Sequence, residues 1–460
     1  MNFMSRLSRS KISLIAGLSV LLVLIGLYNI PWVYNRVYWR IDDLRNQIMF
    51  YIQPQSAGVF VPVGNKTATI LPSPQVMRTA PPTPTVPLAA SSTLTPAQSA
   101  TPAMPSTPLP AQVSLPGVIY VDQHHRWNYC GPANLSMALN FWGWKGTRDD
   151  IAEVIKPGIP DPKLDFIQKG KTDKNVMPYE LINFVNNNTP YHALQRFGGD
   201  MDLIKRLIAA GFPVVIEKGY YERDYNGRIG WMGHYLFVTG YDDARGGFIV
   251  QDAYLVPGKN LLSKYTDFEE GWRSFDYLFM VVYPTAKENQ VVSLLGDWND
   301  LNLANQKAMD KANEDIKTQK GIDLFFAWFN AGTSHVQLLQ YQDAANAYDQ
   351  AFSIYATLET NDQQRPYRIM WYQSWPYWAY YYSGRYQDVV DLATTALTYR
   401  ANPNDSFPML EESFYWRAMG ELGLGQSGAA VNDLQQAVYY NSSFSAALQK
   451  LQEIGAPLKP

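Results

Sequence analysis

Residues 121–142, VDQHHRWNYCGPANLSMALNFW, constrain this chain more than any other stretch. They hold the only cysteine among 460 residues, Cys130, immediately before Gly131 and Pro132. Leu135, Ala138, Leu139 and Trp142 follow at i, i+3, i+4 and i+7, the spacing of one helix face. Pro132 suits the first helical turn, where its missing N–H costs no hydrogen bond. The spacing thus predicts a helix that starts at Cys130. Unpaired N–H groups and the helix dipole at such an end favour thiolate over thiol, and the thiolate is the reactive form.

A nucleophilic thiolate needs a base and a group to orient that base. Five histidines are available: His124, His125, His192, His234 and His335. His234 opens a β-branched and aromatic run, GHYLFVTGYDD, that reads as a strand. Residues 242–247, DDARGG, read as a turn, and FIVQDAY as the next strand, carrying Asp252. His234 and Asp252 therefore fall on strands expected to be adjacent, which lets the carboxylate hold the imidazole. Gln123 is close enough in sequence to set its side-chain amide beside Cys130 as an oxyanion donor. Gly230-Trp231-Met232-Gly233 reads either as a substrate-lining stretch, with Trp231 and Gly233 at the cleft, or as a plain turn with a buried tryptophan. His124 and His125 read as solvated loop residues, since no further metal ligands accompany them.

The pattern Q…YCGPA…GH…D resembles the bacteriocin-processing-like cysteine peptidases, peptidase family thirty-nine of the cysteine class. It is more similar still to their stand-alone C-G-P-A relatives, which lack a transporter. The resemblance runs from Leu115 to Pro284. It implies a papain-like fold, with Cys130 as nucleophile, His234 as base, Asp252 as orienter and Gln123 in the oxyanion hole. Peptide-bond hydrolysis through an acyl-enzyme, with no metal or cofactor, follows from that set. The helical patterns at Asn175–Asn186 and Asp200–Ala210, with strands at Val214–Glu217 and Tyr277–Tyr283, give the α+β order such a fold requires.

The length implies two or more domains, and a net charge of −3 argues against a nucleic-acid partner. Residues 1–11 carry Arg6, Arg9 and Lys11 with no acid, and residues 12–30 are almost wholly apolar. A run of that length makes roughly 28 Å of helix, enough to cross a bilayer core. The expectation is an uncleaved signal anchor, its tip cytoplasmic and everything beyond it extracytoplasmic. Residues 31–52 show a second helical stripe, read as a juxtamembrane helix, and residues 53–114 are a Pro/Thr/Ser-rich spacer read as disordered.

Residues 285–460 change character. Trp328, Gly332, Tyr341, Ala344, Tyr348 and Ala351 resemble one tetratricopeptide unit, with weaker units around Val389–Ala396 and Ala430–Ala437. The expected whole is a membrane-anchored, single-pass, extracytoplasmic cysteine peptidase. Its α+β domain at 115–284 is followed by an all-α tetratricopeptide-like domain that recruits a protein substrate or partner. The competing expectation is a non-catalytic scaffold, in which the peptidase fold and the repeats only bind.

Overall fold

The computed structural model describes Ser19 and residues 59–62, 108–126, 128–156, 174–223, 229–358, 365, 366, 368–398 and 410–458. An antiparallel sheet organises the first half. Its strands are β1 (Gln112–Ser114), β2 (Tyr191–Arg196), β3 (Val214–Arg223), β4 (Ile229–Asp242), β5 (Gly247–Gln251), β6 (Leu261–Lys264) and β7 (Phe279–Pro284). The order is β2-β7-β3-β4-β5-β6, and β1 pairs with the far end of β4. β4 is the axis: it pairs with β3 from Ile229 to Val238 and with β5 from Phe237 to Asp242, with a register shift between Val238 and Gly240.

Alternation along these strands sends side chains to two cores, one on each side of the sheet. Val214, Ile216, Leu236 and Val238 meet Leu203, Ile204, Leu207 and Ile208 of helix α4 (Met201–Ala209), and Phe268 and Trp272 of α5 (Tyr265–Arg273). Val215, Tyr235, Phe237, Met280 and Val282 meet α1 (Cys130–Phe141), α2 (Arg148–Ile155) and α3 (Pro178–Asn188). Local signals place these helices. Thr147 and Asp150 form a reciprocal capping box on α2, and the Asp200 carboxylate accepts from the Leu203 amide at 2.6 Å to start α4. Gly211, at φ +90°, ends α4 where a side chain would be strained.

The second half is helical: α6 (Glu288–Leu295), α7 (Leu301–Thr318), α8 (Gly321–Gln337), α9 (Tyr341–Thr357), α10 (Ile369–Tyr372), α11 (Trp375–Tyr382), α12 (Tyr386–Thr398), α13 (Glu411–Gly423), α14 (Ser427–Tyr440) and α15 (Ser445–Glu453). Small residues let paired helices approach. Ala344, Ala351, Ala393, Ala430 and Ala437 are fully buried, and a Cβ on Gly332 would lie 2.7 Å from the Tyr348 ring. Pro376 falls in the first turn of α11, where proline costs nothing.

The helical half is packed onto the sheet half. Trp231 of β4 meets Phe326 of α8 with ring centroids 5.7 Å apart. Gln373 Nε2 donates to Ser274 O at 2.7 Å, and Asn330 Nδ2 to Arg273 O at 2.7 Å. The buried Lys174 ammonium lies 2.6 Å from Glu180 and 3.1 Å from Glu411, the latter on α13. Those two carboxylates hold Lys174 charged despite its burial, the larger opposing influence.

One expectation needs correction. Among the described residues, no helix is long and apolar enough to cross a membrane. The longest, α7, has 18 residues but carries Lys307, Asp310, Lys311, Glu314, Asp315 and Lys317. This overturns the transmembrane part of the expected fold class. With it go the membrane anchoring, the membrane as a partner and the single-pass, extracytoplasmic topology. The run at 12–30 that suggested them lies, apart from Ser19, outside the described residues, as does the stripe at 31–52.

The spacer expected at 53–114 lies mostly outside the described residues. Both of its described pieces are placed by contacts. Residues 112–114 form β1, with the Tyr241 hydroxyl donating to Pro110 O at 2.8 Å, and Phe60 is buried against α9 and α11. A Pro/Thr-rich average hid the few apolar and β-forming residues that found partners.

Candidate active site

Cys130 is the first residue of α1, as the Gly131-Pro132 spacing predicts. Among the described residues no side chain caps this end, where the helix dipole favours a negative charge. Asn134, one turn on, donates through Nδ2 to Cys130 O and to Tyr235 O, both at 2.9 Å. That one buried amide bolts the start of α1 to β4 at the residue beside His234.

His234 stands on β4 opposite Lys218 of β3 and is only 4% exposed. Its Nε2 meets Asp252 Oδ1 at 2.9 Å, which leaves Nδ1 for its hydrogen bond with Cys130. Asp252 follows β5. Its Oδ1 also accepts from the amides of Tyr254, at 2.8 Å, and Leu255, at 3.1 Å. The carboxylate is therefore fixed before it meets the imidazole. Tyr220 and Tyr254 flank the ring, with centroids 5.5 and 6.2 Å away.

The electrostatics follow from this geometry. Burial pushes the Cys130 thiol up. The hydrogen bond and charge of His234, the Tyr235 amide and the Lys156 ammonium together outweigh burial and bring the thiol below its ordinary value. Burial pushes His234 down, but the charge and hydrogen bond of Asp252, with help from Cys130, raise it to about 10. Burial raises Asp252, and the charge and hydrogen bond of His234 with the two amides bring it down to about 2. The arrangement favours thiolate and imidazolium over thiol and imidazole, the poised state of a cysteine nucleophile.

Gln123 lies on the loop before α1, and its backbone N–H donates to Ala253 O at 2.8 Å, directly after Asp252. Its Oε1 is buried with no hydrogen-bond partner among the described residues. Arg148 of α2 secures the same loop, through Asp122 at 2.9 Å and His124 O at 3.1 Å. His124 and His125 make other contacts. His124 Nε2 sits 2.9 Å from Tyr254 O, and His125 takes a positive φ in the turn. His192 pairs with Glu288 at 3.0 Å, and His335 with Gln340 at 2.7 Å.

Trp231 and Gly233 stand differently from a cleft lining. Trp231 is 2% exposed and stacked on Phe275, 5.6 Å away at 12°, with Tyr372 edge-on at 5.8 Å. The tryptophan is buried, as one of the two sequence readings had it, but the stretch is strand β4 rather than a turn, and the indole has no face left for a substrate. A Cβ on Gly233 would lie 2.6 Å from Phe275 and 2.8 Å from the Tyr372 ring, so the close approach of α10 requires glycine there. The Gly233 amide also hydrogen-bonds the Tyr372 hydroxyl.

Three residues near the site escaped the sequence reading. Asn134 was detectable as a polar residue four after the cysteine, on the same helix face. Glu217, at the end of an apolar strand run, is 2% exposed beside Tyr235. Burial first, then the negative charge of Cys130, pushes its carboxyl well above the usual range. Tyr372 had no sequence signal, since only packing of the two halves brings it to β4.

The family model described as the Peptidase C39 like family matches residues 116–279. That stretch is a C39-like cysteine-peptidase superfamily domain. A solved structure described as a C39-like peptidase from Bacillus anthracis is 18% identical, over 37% of this chain and 96% of that one, with a TM-score of 0.28. A score that low does not bear on the fold. No curated protein matches the chain.

Proposed function

We propose that this chain, built around a C39-like domain at residues 116–279, is a cysteine peptidase acting through Cys130, His234 and Asp252. One observation carries the reading. The thiol at the start of α1 is hydrogen-bonded to an imidazole whose other nitrogen is 2.9 Å from a pre-fixed carboxylate. In the proposed reaction the Cys130 thiolate attacks the peptide carbonyl carbon. The C–S bond forms as the carbonyl π pair moves to oxygen. The imidazolium of His234 then protonates the leaving amine as the C–N bond breaks. Water, deprotonated by the now neutral imidazole, attacks the thioester, and loss of the thiolate releases the acid and restores the pair. Asp252 keeps the ring oriented and its charged form favourable. Gln123 and backbone amides near Cys130 are the proposed donors to the oxyanion.

The helical half is read as a tetratricopeptide-like array that binds a protein substrate or partner. The small residues at its signature positions support that reading. A non-catalytic binding role draws support from one fact, the near-complete burial of His234. Incubating the full chain and its Cys130→Ala variant with a peptide library separates the two. Turnover by the first and none by the second is expected. Absence of turnover from a folded, alkylatable wild-type chain would leave the binding role.

A further inference from the structure

Residues 59–62, Val-Phe-Val-Pro, adopt neither helix nor strand, yet Phe60 is 5% exposed. Its ring stands edge-on to Phe352 of α9 at 5.1 Å and to Tyr380 of α11 at 5.8 Å. Val59 packs partly against the same cluster, while Val61 is 59% exposed and points away. The receiving surface is firm without it. Tyr380 donates to Asp349 at 3.0 Å, Asp349 is paired with Arg385 at 2.7 Å, and Phe352 packs on Phe329 of α8. One aromatic side chain seated against two helix aromatics, with an exposed Val61 beside it on a backbone that is neither helix nor strand, is the geometry of an anchored peptide.

We infer that the cleft between α9 and α11 is a docking site for an extended apolar segment with one aromatic anchor, and that residues 59–62 of the same chain occupy it. Of residues 59–62 only Phe60 is buried, and so small a contact is exchangeable, so that a free segment of the same chemistry competes for the site. The site is independent of the peptidase chemistry.

The test uses the full chain, its Phe60→Asp and Val61→Asp variants, and a fluorescent synthetic peptide of residues 57–64, AGVFVPVG. Anisotropy titration should show saturable binding to Phe60→Asp, at least about tenfold tighter than to wild type or to Val61→Asp, whose clefts are filled. A peptide with aspartate in place of phenylalanine should not bind. Equal binding to all three chains, or none to any, overturns the proposal. A photo-crosslinking benzoylphenylalanine at position 60 tests the same contact without emptying the cleft. An intrachain crosslink at or beside Phe352 or Tyr380 supports it. A crosslink elsewhere, or one that joins two chains, overturns the assignment in cis.

Discussion

At the scale of single residues, three charges depend on one another. Asp252 holds His234 up at about 10, and the resulting imidazolium helps hold the Cys130 thiol down. The signs give a pH window. Above the lowered pKa of the thiol and below the raised one of the imidazole, both partners are charged. Alkylation of Cys130 by iodoacetamide should therefore stay fast well below pH ~8.5, where a free thiol slows. Asp252→Asn keeps a hydrogen-bond acceptor but removes the charge. His234 then titrates lower, the thiol loses part of its counter-charge, and the midpoint of the alkylation profile should rise by about 1–3 pH units. Rate against pH for the two proteins checks this. Superimposable profiles would mean that the carboxylate orients the ring without setting its charge.

At the scale of elements, the site depends on the junction of one helix with one strand. α1 supplies the thiol and β4 the imidazole, and Asn134 Nδ2 bridges Cys130 O and Tyr235 O across that junction. Asn134→Leu would leave two buried carbonyls without this donor. Unfolding in urea should show a loss of about 1–3 kcal/mol, the cost of unsatisfied buried groups. The alkylation rate at neutral pH should fall as well, because the thiol and imidazole are no longer held in register. A variant destabilised to that extent with an unchanged alkylation rate would reduce Asn134 to a structural bond alone.

At the scale of the molecule, the two halves are one structure rather than a peptidase with a detachable recruiter. Truncation near Pro284 would uncover Trp231, remove the Ser334 hydroxyl that donates to buried Asp276 at 3.2 Å, and separate Lys174 from Glu411. Each large apolar side chain exposed costs about 1.5–3 kcal/mol. Against a typical total stability of roughly 5–15 kcal/mol, several such losses are decisive. The truncated chain should lose its near-UV circular dichroism and its cooperative unfolding transition. A sharp transition retained by residues 108–284 would show that the sheet half stands alone.

The lone Cys130 before Gly-Pro, a strand through His234 and a further strand just ahead of Asp252 were legible because each rests on local rules, although β4 begins earlier, at Ile229, and β5 ends at Gln251. Helix entry, strand alternation and turn composition act over a few residues, and they placed α1, β4 and β5 from the chain alone. The helical character of the second half was legible for the same reason, since apolar and small residues fall at helical spacing within its segments. The rest was decided by contacts between residues far apart in sequence. Trp231 became core rather than cleft because α8 and α10 close over it. Tyr372 reached Gly233, and Phe60 reached Phe352, through packing that no local pattern encodes.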